Sequence, residues 1–436
     1  MKAARSQASK LVHSTAEVLT ELLKSPFEFH SQSSSYSTHS FHAYAAKFPP
    51  QLPRVFIEEL TEPGEVVLDP MMGSGTTLVE ALLGGRRTIG CDLDPLAVKI
   101  GQIKTRNYDP KELQQSLTDL LASLFQIFWD SSRLDQELKN RFSAPDKEFI
   151  DYWFLPQTQR ELMALVLSIE QESNPDLREF FEVVLSSIIV TKSGGVSRAR
   201  DLAHSRPHLD KTKTPREAIS QFEAKARKMI RALAEREPFP SKAEIHLADA
   251  RRLPLPDDSV DLIVTSPPYA NAIDYMRAHK FSLAWLGEKM ADLSEKRSTY
   301  IGSEKIRRHA PGDLPEKVRA VVKKLAELDA KKAKILSQYY LDMDRVLAEM
   351  KRVLKPGRAA IVVIGTSTMR GMDVETHLGL AELAQRQGFQ VVGIKERKLD
   401  RNRRMMPARF KSKVSSIENR MHKEYIIALF KEQSLV

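Results

Sequence analysis

A single cysteine, Cys91, stands among 436 residues. One thiol cannot form a disulfide within a chain, nor can it supply a Cys-based zinc site. A reducing, cytoplasmic compartment fits that scarcity. No run of about 18 apolar residues occurs, which excludes a membrane-spanning helix. Met1 to Lys10 is basic, but no apolar core follows it, so no secretory leader is expected. Acidic excess is lacking too: 67 Lys and Arg face 57 Asp and Glu, a formal net charge of +10. That balance favours a polyanionic partner. The 11 histidines show no metal-ligand spacing and no His-Glu-x-x-His, so no metal is expected. Apolar residues still make up 42 %, enough for a sizeable core.

The chain opens with a stretch, 7–24, patterned as an amphipathic helix, followed by a Ser-rich lead-in, Ser31 to Ser40, that reads as flexible. From Gly64 the pattern is regular. Val66-Val67-Leu68 is a short apolar run, hence a buried strand, and Asp69-Pro70 ends it. Gly73-Ser74-Gly75 follows, and Thr76 or Thr77 can cap a helix running to Leu83. Arg87 to Cys91 is a second strand, and Asp92-Leu93-Asp94-Pro95 opens a second helix. Strand, glycine turn, helix, strand is the opening of a doubly wound parallel sheet. The alternation then halts. Residues 110–237 read as helices over 111–127, 157–171, 176–191 and 215–236, an insertion. Strands resume at 243–247 and 260–264, a helix starts near Lys280, and a charged excursion covers 288–335. A helix over 336–354 stops at Lys355-Pro356-Gly357. Strand 359–364, helix 376–387 and strands 391–394 and 425–430 close the pattern.

Glycines at a strand-to-helix turn let a ligand approach the backbone, although a bare tight turn reads the same way. The spacing is not Gly-x-Gly-x-x-Gly, and the Gly-Lys-Ser/Thr of a phosphate-binding loop is missing. A carboxylate just past the second strand can accept hydrogen bonds from a ribose diol. Asp94, directly before Pro95, suits a helix N-cap, which leaves Asp92 for the ribose. Asp249 follows the third strand and is either a ligand contact or a surface residue. The fourth strand runs into Thr265-Ser266-Pro267-Pro268-Tyr269. Prolines carry no N–H, so carbonyls here stay available as acceptors. With the Ser266 hydroxyl and the flat face of Tyr269, they can hold a planar group bearing an amine. Trp153, Phe154 and Trp285 read as core.

These motifs carry a family resemblance. Leu68 to Thr77 resembles motif I of S-adenosylmethionine-dependent methyltransferases, and Thr265-Ser266-Pro267-Pro268-Tyr269 resembles motif IV of enzymes that methylate exocyclic amines in DNA. His39 to Pro50 is similar to motif X, and Asn271 to Tyr275 with His279-Lys280 resembles the family's continuation. The resemblance implies an α/β fold: a doubly wound, mostly parallel, Rossmann-like methyltransferase sheet with an inserted helical domain. Its catalytic domain would span 39–108 and 241–436. The insert, 109–240, is a candidate for DNA recognition, and 1–38 is the N-terminal helix and lead-in. The resemblance implies cofactor contacts from Lys47, Phe48, Asp69, Pro70, Gly73, Gly75, Thr76, Asp92, Asp249 and Thr265, with Asp249 on the adenine amine. Ser266, Pro267, Pro268 and Tyr269 would hold the target base.

The expected function is therefore methylation of an exocyclic amine in duplex DNA, with the base flipped out. Ser-Pro-Pro-Tyr leans within the family towards cytosine N4, and Asp-Pro-Pro-Tyr towards adenine N6. An RNA amine, or a silent nucleic-acid-binding subunit retaining the fold, are the rivals. Methylation at cytosine carbon 5 needs a nucleophilic cysteine after proline, and Cys91 follows Gly90, so that route is excluded. Residues 395–413 hold nine Lys and Arg against two acids, including Arg401, Arg403, Arg404 and Arg409, the expected DNA contacts. Residues 191–240 hold twelve against six. A restriction endonuclease partner is compatible with this reading.

Overall fold

The computed structural model describes residues 14–29, 31–44, 47–191, 195–200, 207–270, 275–303, 312–365, 367–399 and 423–433. One seven-stranded sheet contains β1 (Val66–Asp69), β2 (Arg87–Asp92), β3 (Ala243–Leu247), β4 (Val260–Thr265) and β5 (Leu354–Gly365). A separate short ladder joins β6 (Thr368–Met369) to β7 (Met372–Asp373), and the main sheet is completed by β8 (Gln390–Lys398) and β9 (Lys423–Phe430). The strand order is β3-β2-β1-β4-β5-β9-β8. Strands β1 to β5 pair in parallel, and β9 is antiparallel to both its neighbours. The order reverses between β1 and β4. In doubly wound sheets ligands bind outside the carboxyl ends of the strands at such a point.

Both faces of the sheet are covered. Strand β4 is buried along its length. Leu262 and Val264 pack with Val67, Leu52 and Phe56 on one face, while Ile263 packs with Leu68, Leu336 and Tyr339 on the other. A strand covered twice needs apolar side chains on both faces, which explains the continuous run in the sequence. The exception, Asp261, is buried but accepts from the Val66 N–H (3.0 Å) and from Lys355 Nζ (2.8 Å). The first face carries α1 (Thr15–Leu22), α2 (Gln51–Leu60) and α3 (Thr76–Leu83). Next in the chain is α4 (Pro95–Thr105), then a helical run of α5 (Pro110–Trp129), α6 (Ser131–Arg141), α7 (Ala144–Trp153), α8 (Pro156–Glu170), α9 (Pro175–Ile189) and α10 (Ala218–Ala234). After β4 come α11 (Tyr275–Trp285), α12 (Met290–Lys296), α13 (Glu316–Leu328) and α14 (Ala330–Val353), and α15 (Thr376–Arg386) precedes β8. The second face of the sheet is covered by α13, α14 and α15.

The helical run between β2 and β3 shares one apolar core with its surroundings. Leu117, Leu124, Phe180 and Phe181 pack with Leu96 and Ile100 of α4 and with Phe281 and Trp285 of α11. Phe154 and Trp285 are fully buried, and Trp153 packs at the edge of the same cluster.

Several local expectations change. Thr76 and Thr77 do not cap α3; the N-cap is Gly75, in a left-handed conformation. The Ser-rich stretch 31–40 is docked rather than free: Thr38 and His39 are buried, and Tyr36 Oη donates to Glu80 Oε1 (2.7 Å). The polar helix α6 escapes the sequence pattern because it buries only Leu134 and Leu138, too few for a period. Lys355-Pro356-Gly357 ends α14 but lies within β5, because Leu354 pairs with Val260 before a register shift. Helix 7–24 is described from Ser14 onward, as Thr15–Leu22.

Candidate active site

The turn after β1 is built on backbone only glycine adopts without strain. Gly73 has φ +48° and Gly75 φ +69°. A β-carbon at Gly73 would also lie 3.1 Å from the Tyr44 ring. The turn is closed by the Gly75 N–H donating to the Met72 carbonyl (2.8 Å). The buried Lys104 ammonium of α4 donates to the Ser74 carbonyl. Pro70 and Thr76 are buried, and Thr76 Oγ1 lies 3.3 Å from Ser74 Oγ.

Asp92 ends β2 half-buried and faces this turn. Its Oδ2 accepts from the Gly73 N–H (2.8 Å) and its Oδ1 from the Asp94 N–H (2.9 Å). Burial, then the neighbouring Asp94, pushes its carboxyl up to about 7. Asp94 caps α4 through the Leu96 N–H (2.9 Å), as its place before Pro95 implied. The other oxygen of Asp94 is 2.6 Å from His279 Nδ1. Tyr44 stacks on Tyr275 (ring centroids 5.3 Å apart) and lies 5.2 Å from the His279 ring. Tyr44, Tyr275 and His279 thus crowd the crevice beside Asp92. Their positions lay inside the recognised motif strings, but nothing in the sequence showed that they meet.

The two strand ends at the reversal point are tied together. Thr265 Oγ1, at the end of β4, donates to Asp69 Oδ1, at the end of β1 (2.8 Å). The Met71 N–H donates to the same oxygen (3.2 Å). Burial pushes the Asp69 carboxyl up to about 6 against these bonds. Asp69 and Thr265 are therefore engaged with each other. Ser266 is half-buried, and its hydroxyl has no partner among the described residues. Pro267 is buried and Pro268 half-buried. The Tyr269 ring lies against Gly365 at the end of β5, where a β-carbon would come within 2.8 Å of it. Tyr269 Oη is 3.4 Å from Glu424 Oε1 on β9, and burial, then Glu424, raises the phenol.

Other expected residues sit differently. Lys47 is exposed; its Nζ donates to the carbonyls of His39 (2.9 Å) and His42 (3.3 Å), folding its own loop. Phe48 is buried in the core beside Leu52 and Phe56. Asp249 is gripped by Arg251, whose Nη2 donates to Oδ2 (2.7 Å) and whose Nε donates to Oδ1 (2.9 Å). Arg251 also donates to Asp342 (2.9 Å). Arg401, Arg403, Arg404 and Arg409 lie outside the described residues, as do Asn271 to Asp274. The ends flanking the arginines, Lys398 and Lys423, pair with each other next to Glu424. Cys91 is buried in β2, and burial pushes its thiol up to about 12, which suppresses the thiolate a nucleophile needs. Among the described residues no group of three His, Cys, Asp or Glu is arranged to hold a metal, and no helix is long and apolar enough to cross a membrane.

Comparison with known proteins places this arrangement. A family model described as DNA methylase, of the N6/N4 type, matches residues 1–103 and 260–428. The Type II methyltransferase M.MvaI of Kocuria varians is 26% identical over 368 residues, covering 79% of this chain and 80% of that protein. The Type II methyltransferase M.AvaI of Nostoc sp. is 26% identical over 364 residues, covering 75% and 73%.

Proposed function

The chain belongs to the N6/N4 DNA methylase family, a DNA amino-methylating enzyme family whose methyl donor is S-adenosylmethionine, and from that premise we propose that it methylates cytosine N4 in a flipped base of duplex DNA. The observation that carries the reading is the Thr265–Asp69 hydrogen bond (2.8 Å). It joins the glycine turn to Ser-Pro-Pro-Tyr across the carboxyl ends of β1 and β4. A donor held at one loop and an acceptor held at the other are thereby kept in register. Alignment of this kind can recover roughly 7–11 kcal/mol of a barrier.

The residues fit the cofactor. Gly73 and Gly75 leave the turn open to close approach, and the Asp92 carboxylate keeps lone pairs beyond its two backbone bonds for a ribose diol. Asp69 acts through Thr265 as a positioning residue. Asp249, bound to Arg251, would meet the adenine amine only as a shared acceptor. S-adenosylmethionine supplies a methyl carbon already made electrophilic by a positive sulfur. The protein's task is then to make the target amine a good nucleophile. Its lone pair is conjugated with the ring. The Ser266 hydroxyl, unpartnered among the described residues, and the Pro267 carbonyl accept from the amine and draw it out of the ring plane, while Tyr269 offers a stacking face. Extruding the base from the duplex is the accompanying cost.

Serine rather than aspartate before Pro-Pro supports cytosine over adenine. The family match leaves out 104–259, which supports the helical run as the part that reads the site, with Arg401, Arg403, Arg404 and Arg409 on phosphates. The modification marks DNA against a restriction endonuclease partner. The test is nucleoside identification by mass spectrometry after treating unmethylated genomic DNA. N4-methylcytosine is expected. N6-methyladenine overturns the base assignment, and 5-methylcytosine overturns the mechanism.

A further inference from the structure

We propose that Glu424 and Arg397 form a reader of the target base's hydrogen-bonding edge, which selects a base carrying an amine over one carrying a carbonyl. The inference rests on the reading that Ser266 to Tyr269 hold that base.

Glu424 is the second residue of β9 and pairs in register with Gly365 of β5 and Arg397 of β8. Both side chains are more than nine-tenths buried, at 9% and 7% exposed. They meet poorly. Arg397 Nε is 3.5 Å from Glu424 Oε2, and neither atom makes a hydrogen bond among the described residues. Arg397 Nη1 is equally unspent. A buried ion pair is tolerated when further hydrogen bonds satisfy its remaining donors and acceptors, and here they do not. The carboxylate's other oxygen, Oε1, is the one facing Tyr269 Oη (3.4 Å). The unsatisfied groups therefore border the Ser-Pro-Pro-Tyr loop. Gly365 lets the Tyr269 ring pack directly on β5 beside Glu424, since a β-carbon there would come within 2.8 Å of that ring. Phe29 backs the guanidinium, 5.9 Å from its ring centre.

An ionised carboxylate only accepts, and a guanidinium only donates. Side by side, they match an edge with a donor beside an acceptor. Cytosine presents N4–H beside N3, and adenine N6–H beside N1. Thymine and guanine present a carbonyl beside a ring N–H, the reverse order, and would set acceptor against acceptor and donor against donor. The amine has two N–H bonds: Glu424 takes the one on the ring edge and Ser266 and the Pro267 carbonyl share the other, so that both contacts draw on the same lone pair.

The test uses the full chain, tritiated S-adenosylmethionine and unmethylated genomic DNA. Glu424→Gln keeps the shape and removes the charge. It is expected to lower kcat at least tenfold while S-adenosylmethionine affinity and DNA KM stay within twofold and the thermal midpoint is unchanged or higher. Arg397→Met should do the same, and the double variant should be no worse than the weaker single one. Full activity in Glu424→Gln overturns the proposal, and so does a loss of cofactor affinity and thermal stability in step with activity. If Ser266→Ala and Tyr269→Ala lose transfer while Glu424→Gln does not, only this inference fails. If the wild type transfers no label to any DNA amine, the proposed function fails with it.

Discussion

Asp92 is the residue at which structure and chemistry make the sharpest demand. Its carboxyl, ordinarily near 3.8, is pushed up to about 7, chiefly by burial and then by Asp94. At about 1.36 kcal/mol per pH unit, ionising it in the fold costs roughly 4 kcal/mol more than in the unfolded chain. The unfolded state gives up this proton first, so Asp92 makes the protein less stable as pH rises from about 4 to about 7. Asp92→Asn removes the charge and that penalty. The amide oxygen can accept from only one of the Gly73 and Asp94 N–H groups, and its NH2 faces the other. A backbone donor left in that state costs about 1–3 kcal/mol. The variant should therefore be more stable than wild type at pH 8 by about 1–3 kcal/mol and less stable by about 1–3 kcal/mol only below about pH 4, where the wild-type carboxyl is protonated in both states. Urea unfolding at several pH values should show the two stability curves crossing. Other titrating groups are common to both proteins and cancel in the difference. Cofactor binding should move the opposite way. On the proposed assignment of Asp92 to the ribose, only the ionised form accepts from both hydroxyls, so wild-type affinity should rise about tenfold per pH unit up to about 7 and then level. At pH 8, Asp92→Asn should bind S-adenosylmethionine roughly 10- to 150-fold more weakly, the loss of about 1.5–3 kcal/mol for a hydrogen bond to a charged group. Parallel stability curves, or a wild-type affinity flat from pH 5.5 to 8.5, would refute this reasoning.

Thr265→Val deletes the donor to buried Asp69 and should cost about 1–3 kcal/mol in urea unfolding, with transfer falling further than stability; an unchanged midpoint sinks the idea that the two loops are tied there. Gly365→Ala puts a β-carbon 2.8 Å from the Tyr269 ring, so turnover on DNA should drop about tenfold or more, the effect of losing ~1.4 kcal/mol of transition-state alignment, with S-adenosylmethionine binding by calorimetry unaltered. Replacing Arg401, Arg403 and Arg404 with Ala should weaken binding to all DNA sequences and flatten the slope of log K against log salt by about 0.9 per lost phosphate contact. A loss confined to one preferred sequence would instead assign those arginines to the bases.

Much of the scaffold is written locally. Val66 to Leu68 and Val260 to Val264 are continuous apolar runs because helices cover both faces of their strands, and a short covered strand leaves that trace whatever surrounds it. Asp94 before Pro95 announced the α4 cap, because capping is settled within four residues. The glycine turn and Ser-Pro-Pro-Tyr were legible for the same reason, since each is a contiguous motif at the end of a strand. The cap of α3 differs from the sequence expectation because a left-handed Gly75 and a capping threonine leave similar traces in sequence.

Partners distant in the chain left no such trace. The tie between Thr265 and Asp69 spans 196 residues, that between His279 and Asp94 spans 185, and that between Tyr269 and Glu424 spans 155. Nor did the sequence foretell that Arg251 occupies Asp249, that Phe48 belongs to the core, or that the helical run shares its core with α4 and α11. Periodicity records whether a side chain is buried, because burial repeats with the geometry of its own helix or strand. It does not record which buried group it meets. That choice is made when the β1–β4 reversal and the antiparallel β5–β9–β8 edge bring remote strand ends together. The chemistry-bearing residue types were therefore readable from the chain alone, and their pairings were decided by the packing of the sheet.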